Sequence, residues 1–168
     1  MYMRRPEPVV PGPGQESVWD YPRPPRLEPC TELIEVVLGG VTIVRTQRSF
    51  RVLETSHPPT YYLHPDDFVP GVLQPSGRRP TFCEFKGLAV YFTLRSGGIE
   101  LRDVAWAYPV PSPGYEALAD HVALYVQVMD SCTVDGEEVT PQPGGFYGGW
   151  ITSKVVGPFK GGPGSNGW

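Results

Sequence analysis

LIEVVLGGVTIVRT occupies residues 33–46. Two runs rich in Val and Ile flank Gly39-Gly40, and both glycines accept the positive φ that a two-residue hairpin turn needs. The stretch reads as two antiparallel strands, and it predicts a chain built of short strands joined by tight turns. Downstream, FRVLET (50–55) and TYYLHP (60–65) read as the third and fourth strands. Pro65-Asp66-Asp67-Phe68 reads as one helical turn, with Pro early and carboxylates near the N-terminus. RRPTFCEF (78–85) enters a further strand, Gly87 interrupts it, and LAVYFTLR (88–95) continues. Ser96-Gly97-Gly98 then turns the chain into IELRDVAWAYP (99–109), a second hairpin.

PSPGYEALADHV (111–122) carries the best helix signal, because Tyr115, Leu118, Ala119 and Val122 share a face at helical spacing. HVALYVQV (121–128) reads as a strand, and CTVDGEEV (132–139) as a hairpin about Asp135-Gly136. In the last segment glycines alternate with Phe146, Tyr147, Trp150, Phe159 and Trp168, which predicts a wrap around the domain, with a short helix near 151–156. Strands dominate and no βαβ alternation occurs, so the fold class is mainly β: one antiparallel, barrel-like domain with one short helix and irregular terminal arms.

The 168 residues suit one domain. Its 21 prolines and 20 glycines crowd the first 29 and last 28 residues, which makes the ends irregular and leaves a globular middle. The expected organisation is a flexible tail over 1–16, a β-rich domain over 17–159 and a Gly-rich tail over 160–168. Within the first arm, Trp19 and Tyr21 are expected to anchor an extended segment to the domain surface.

A net charge of −4 offers no basic field for nucleic acid. No stretch reaches the roughly 18 apolar residues of a membrane span, and residues 1–13 lack the apolar core of a signal peptide. Cys30, Cys83 and Cys132 are odd in number and far apart, which predicts reduced thiols in a soluble, cytoplasmic protein. No CxxC or HxxxH spacing suggests zinc, and no glycine-rich phosphate loop appears. No motif specifies a cofactor, and the metal expectation is none.

Polar groups suited to chemistry bunch between positions 54 and 108, on or beside neighbouring strands that would bring them to one concave face. Lys86 is the most informative. Among aromatics it could hold an anion or, with a lowered pKa, act as base or nucleophile; as an edge-strand lysine it would only deter aggregation. His57, with Glu54 or Asp67, is a candidate acid/base group, although His57 and His64 also read as loop histidines. Cys83 is a thiol within reach of Lys86, or a buried strand cysteine. Tyr61, Tyr62, Tyr91, Trp106 and Tyr108 would line the pocket, and Gly87 would let backbone approach a ligand.

PPTYYLHPDDF, TFCEFKGLAVYF, DVAWAYPVP and HVALYV occur in that order, and together they resemble the family catalogued as domain of unknown function 427 over most of 33–128. ESVWDYPRPPRLEP and the Gly-rich end resemble the flanks of its longer bacterial and fungal members. The resemblance implies a mainly-β fold similar to the tent-like sheets of methionine sulfoxide reductase B. It also singles out Tyr61, Tyr62, Lys86, Gly87, Tyr91, Trp106 and Tyr108, with Phe85 as the aromatic before the lysine. It implies no settled activity. Its label mentions nucleotidyl transfer, yet no Gly-Ser followed by an Asp-x-Asp metal motif is present.

Two function classes follow. The first is binding, with or without catalysis, of a small polar or anionic, nucleotide-like molecule in an aromatic-lined pocket centred on Lys86. The second is a non-enzymatic interaction module that acts through its Pro/Gly-rich arms, including a homodimer in which the tail wraps a neighbour. A redox role for Cys83 is a third.

Overall fold

The structure, a computed structural model, describes residues 5–168. The predicted first hairpin pairs Ile34–Leu38 with Val41–Thr46, and Gly39 and Gly40 turn it at φ of 61° and 75°. Ser131–Val134 adds to Ile34–Leu38, and Glu137–Glu138 adds to that, giving a four-stranded antiparallel sheet. The second hairpin pairs Gly87–Ser96 with Ile99–Ala107. Val122–Leu124 flanks it on one side, while Leu73–Pro75 and Thr81–Cys83 flank it on the other. Arg26–Cys30, Ser49–Leu53 and Thr60–Tyr62 make a third sheet.

The two hairpin turns meet. Gly39 and Gly97 lie backbone to backbone, so neither has room for a side chain, and Ser96 Oγ donates to Leu38 C=O at 2.6 Å. Alternation explains the core. Ile34, Val36 and Leu38 point inward from one strand and meet Leu63, Leu94, Leu124 and Trp150. A smaller cluster about Tyr62, Ala89, Tyr108 and Leu118 lies beneath the cleft described below.

The molecule is mainly β, and four details differ from the sequence reading. Residues 111–122 hold no α-helix; Glu116–Leu118 is a single 3-10 turn. Two prolines and Gly114 at φ 95° precede it, and Asp120 at φ 62° follows it. Tyr115 and Leu118 still pack inward, but Val122 does so from a strand paired with Ala107. The strand expected over 121–128 stops at Leu124 and is followed by a 3-10 turn, Val126–Val128. Residues 151–156 are extended at both ends: Trp150–Ile151 pairs with Thr140–Pro141, and Val155–Val156 pairs in parallel with Glu16–Ser17. Among the described residues the sheets do not close into a barrel.

The arms pack on the domain itself. Trp19 Nε1 donates to Pro158 C=O at 2.9 Å, and the Trp19 and Trp168 rings meet edge to face. Arg51, largely buried, bridges the first arm to the third sheet through Glu16 (2.9 Å) and Glu28 (2.7 Å). Among the described residues no helix is long and apolar enough to cross a membrane.

Candidate functional site

The third sheet, the second hairpin and the C-terminal wrap enclose a cleft of about 400 Å³. Side chains on a strand alternate between faces, so each strand contributes every second residue. Thr60 and Tyr62 face the cleft, whereas Tyr61 turns into the core against Trp150 at a ring distance of 4.8 Å. Trp106 and Tyr108 enter from one strand, and Ala89 and Tyr91 from its partner. Thr81 and Cys83 come from the short strand before the turn that carries Lys86.

Eight expected residues thus come together: Glu54, His57, Tyr62, Cys83, Lys86, Tyr91, Trp106 and Tyr108. Tyr61, Asp67 and Gly87 do not line the cleft. Asp67 is bound by Arg48 at 2.8 Å and by the Thr46 hydroxyl at 2.7 Å, and the Arg48 hydrogen bonds hold its carboxyl below the usual range. Gly87 has φ 102°, and a Cβ there would approach Val110 C=O at 3.0 Å, so the room its missing side chain leaves is filled by the protein's own chain. The neighbouring Ser112 N–H donates to Lys86 C=O and fixes the turn. His64 lies apart, accepting from Asp66 N–H through Nδ1 and packing on His121.

Lys86 is mostly buried, and among the described residues its ammonium makes no hydrogen bond and no ion pair. The nearest aromatic partner is Tyr108, whose ring centre lies 5.9 Å away. Burial, the largest influence, lowers its pKa, while the Glu54 carboxylate and the ionised forms of Tyr62, Cys83 and Tyr115 raise it, and the net shift is upward. The direction favours the ammonium, and so the anion-holding reading of Lys86 over that of a base or nucleophile.

On the other side, His57 sits three residues from Glu54 across a turn closed by His57 N–H to Glu54 C=O at 3.0 Å. Its ring is held down to a pKa of about 4 by burial, reinforced by the positive charges of Lys160, Arg23 and Lys86. It stays neutral well below neutral pH. Its Nε2 lies 3.4 Å from Glu54 Oε2 and its Nδ1 lies 3.0 Å from Gln142 Nε2.

The sequence reading missed Gln142, Tyr125, Tyr147, Gly148 and Lys160, all of which line the cleft. The alternating Gly/aromatic pattern predicted a wrap, and the wrap supplies the wall. Gly148 lies flat on Trp106, and a Cβ there would sit 2.5 Å from Cη2 of the indole. Gly148→Ala is accordingly expected to push Trp106 out of place and to cost about 1–3 kcal/mol of stability by overpacking, measurable by urea denaturation. An unchanged midpoint would show that the wrap yields freely at this point.

Comparison with family models matches residues 26–135 to a family described as a domain of unknown function (DUF427). No curated protein matches the chain. The family's label refers to nucleotidyl transfer. In this cleft Glu54 is the one carboxylate, and the described residues contain no group of three or more His, Cys, Asp or Glu placed to share a metal ion.

Proposed function

Because the chain belongs to the domain of unknown function family 427, whose description prescribes no reaction, we propose a function from the cleft itself: it binds a small anionic molecule whose negative group rests on Lys86. One observation carries this reading. Lys86 lines the cleft, and among the described residues its ammonium has no hydrogen-bond or ion-pair partner, Glu54 being the one carboxylate in the lining. An ammonium with three donors and no direct acceptor is free to bind an anionic ligand.

The surroundings agree with this choice. Lys86, Lys160 and Arg23 bring three positive side chains to the neighbourhood of His57, against the single negative Glu54, in a chain whose net charge is −4. Trp106 and Tyr125, tilted at 4.8 Å, offer flat apolar area to a ring in the ligand. The volume lies toward the lower end of the roughly 300–1,000 Å³ typical of ligand sites, which suits a metabolite or mononucleotide better than a dinucleotide. Binding is the whole of the proposal. The upward shift of Lys86 favours its ammonium, and His57 Nδ1 is bonded to Gln142 in a ring that burial holds to a pKa of about 4, so neither is set to act as a base. The interaction-module reading has less support, since Trp19 and Trp168 pack against each other on the domain.

A thermal-shift panel of inorganic phosphate, nucleoside monophosphates and aromatic acids, each beside a neutral analogue, tests the reading. A ligand at about ten times its Kd should raise Tm by roughly 3–6 °C in a chain of this length. Equal shifts from the neutral analogues, or no shift from any anion, would overturn it.

A further inference from the structure

Glu54 is out of place in a cleft that receives anions, because it repels them. Its geometry shows what it offers in return. Gly149 N–H donates to Gln142 Oε1 at 3.1 Å, and Gln142 Nε2 donates to Lys160 C=O at 2.8 Å. These two backbone groups leave the Gln142 amide a single orientation, with its NH₂ toward His57. Gln142 Nε2 therefore donates to His57 Nδ1, and the proton of the neutral ring sits on Nε2. His57 Nε2 lies 3.4 Å from Glu54 Oε2 and Arg23 Nε lies 3.8 Å from the same oxygen, contacts of charge and proximity and not hydrogen bonds. Both contacts fall on Oε2. Neither oxygen of Glu54 accepts a hydrogen bond among the described residues, Oε1 lacks even these longer contacts, and Glu54 lines the cleft that Lys86 lines. The relay is tightly built: a Cβ on Gly149 would meet Pro58 Cγ at 2.5 Å and collide with Gln142.

We propose that Glu54 is the second recognition group of the cleft and that the ligand is bifunctional, carrying a hydroxyl or amino donor for Glu54 Oε1 in addition to its anionic group. The inference rests on the Lys86 reading above. His57 and Gln142 are positioning residues: the ring, held by the Gln142 amide, stands beside Oε2 and leaves Oε1 open to the ligand. Hydroxy acids, amino acids and nucleoside phosphates have this chemistry. Simple inorganic anions and plain carboxylates lack the donor.

Matched probes test it on the full-length protein: 3- and 4-hydroxybenzoate with their methoxy counterparts, plain benzoate, and the corresponding phenylphosphonates. Calorimetric titration of the wild type should give the hydroxy acid of the better-placed isomer about tenfold tighter binding than its methoxy partner, as a hydrogen bond to a charged group implies. Glu54→Leu should erase that preference, and Glu54→Gln should reduce it. Plain benzoate should bind both variants at least as well as the wild type, because removing a carboxylate relieves repulsion; a merely structural loss would weaken every acid together. Equal binding of hydroxy and methoxy partners, with binding still dependent on Lys86, overturns this inference and leaves the Lys86 reading standing. A preference that survives in Glu54→Leu, or a general loss of affinity in both variants, overturns it too. Failure of every acid to bind in a Lys86-dependent way overturns both.

Discussion

Lys86→Met is expected to weaken binding of any anion that stabilises the protein by roughly tenfold to a hundredfold, the worth of a hydrogen bond to a charged group. Met keeps the unbranched stem and its packing, so the variant should remain folded, with the two-dimensional amide spectrum of the wild type outside the cleft. The size of the effect comes from burial. An exposed lysine would share its ion pair with water and salt, and its loss would change little. Lys86 is screened by Tyr62, Tyr108 and the Trp106 wall, so an anion entering the cleft would meet it with little water between. Isothermal titration of wild type and variant with the best anion measures the effect. Equal affinity would mean that the anion sits elsewhere, for instance at Lys160, and that Lys86 is a structural cation.

The second large effect is on stability against pH. His57 titrates near its usual 6.5 when unfolded and at about 4 when folded. Its folded pKa is depressed, so the unfolded chain binds the proton more tightly. The stability it contributes is complete above pH 6.5 and is lost as pH falls through 4. The 2.5-unit difference corresponds to roughly 3 kcal/mol. Other groups contribute slopes of their own, notably His121 and the Arg48-bound Asp67. They are shared with His57→Gln, which lacks only this one proton, so the difference between the two proteins isolates it. Urea denaturation at about pH 7 and about pH 4 should show the wild type losing roughly 3 kcal/mol more than the variant. Parallel losses would show that His57 is solvated and free of its Gln142 and Glu54 contacts.

Much of the fold was legible because local rules and tertiary packing agreed. Gly39-Gly40 and Gly97-Gly98 sit at positive φ in tight hairpin turns, and the runs on either side alternate as strands do. The helix over 111–122 was misread because its apolar spacing satisfies two partners at once. Tyr115 and Leu118 pack into the small cluster from a 3-10 turn, while Val122 answers to a neighbouring strand. Periodicity cannot tell one face from two.

The lining of the cleft was legible where strands carry it. Tyr62, Tyr91, Trp106 and Tyr108 follow from two-residue alternation, and the same rule, applied to the adjacent tyrosines, would have turned Tyr61 into the core. Gln142 was not legible. It lies 85 residues from His57, in a segment without regular pairing signals, and only the fold brings its amide between Gly149 and Lys160. Asp67 looked like an acid/base candidate from its neighbours in sequence, and its true partner, Arg48, lies 19 residues before it.

The chain has three lysines, Lys86, Lys154 and Lys160, so selective ¹⁵Nζ and ¹³Cε labelling gives three resolvable signals. An NMR pH titration of Lys86, repeated with the best-binding anion, reads both its charge state and its contact with the ligand. Lys86 is expected to titrate above the ordinary lysine value of 10.5 and its signal to move saturably with the anion, while that of Lys154, paired with Glu32 on another face, stays still. A Lys86 that titrates below 10.5, or that ignores an anion which stabilises the fold, would contradict the Lys86 reading.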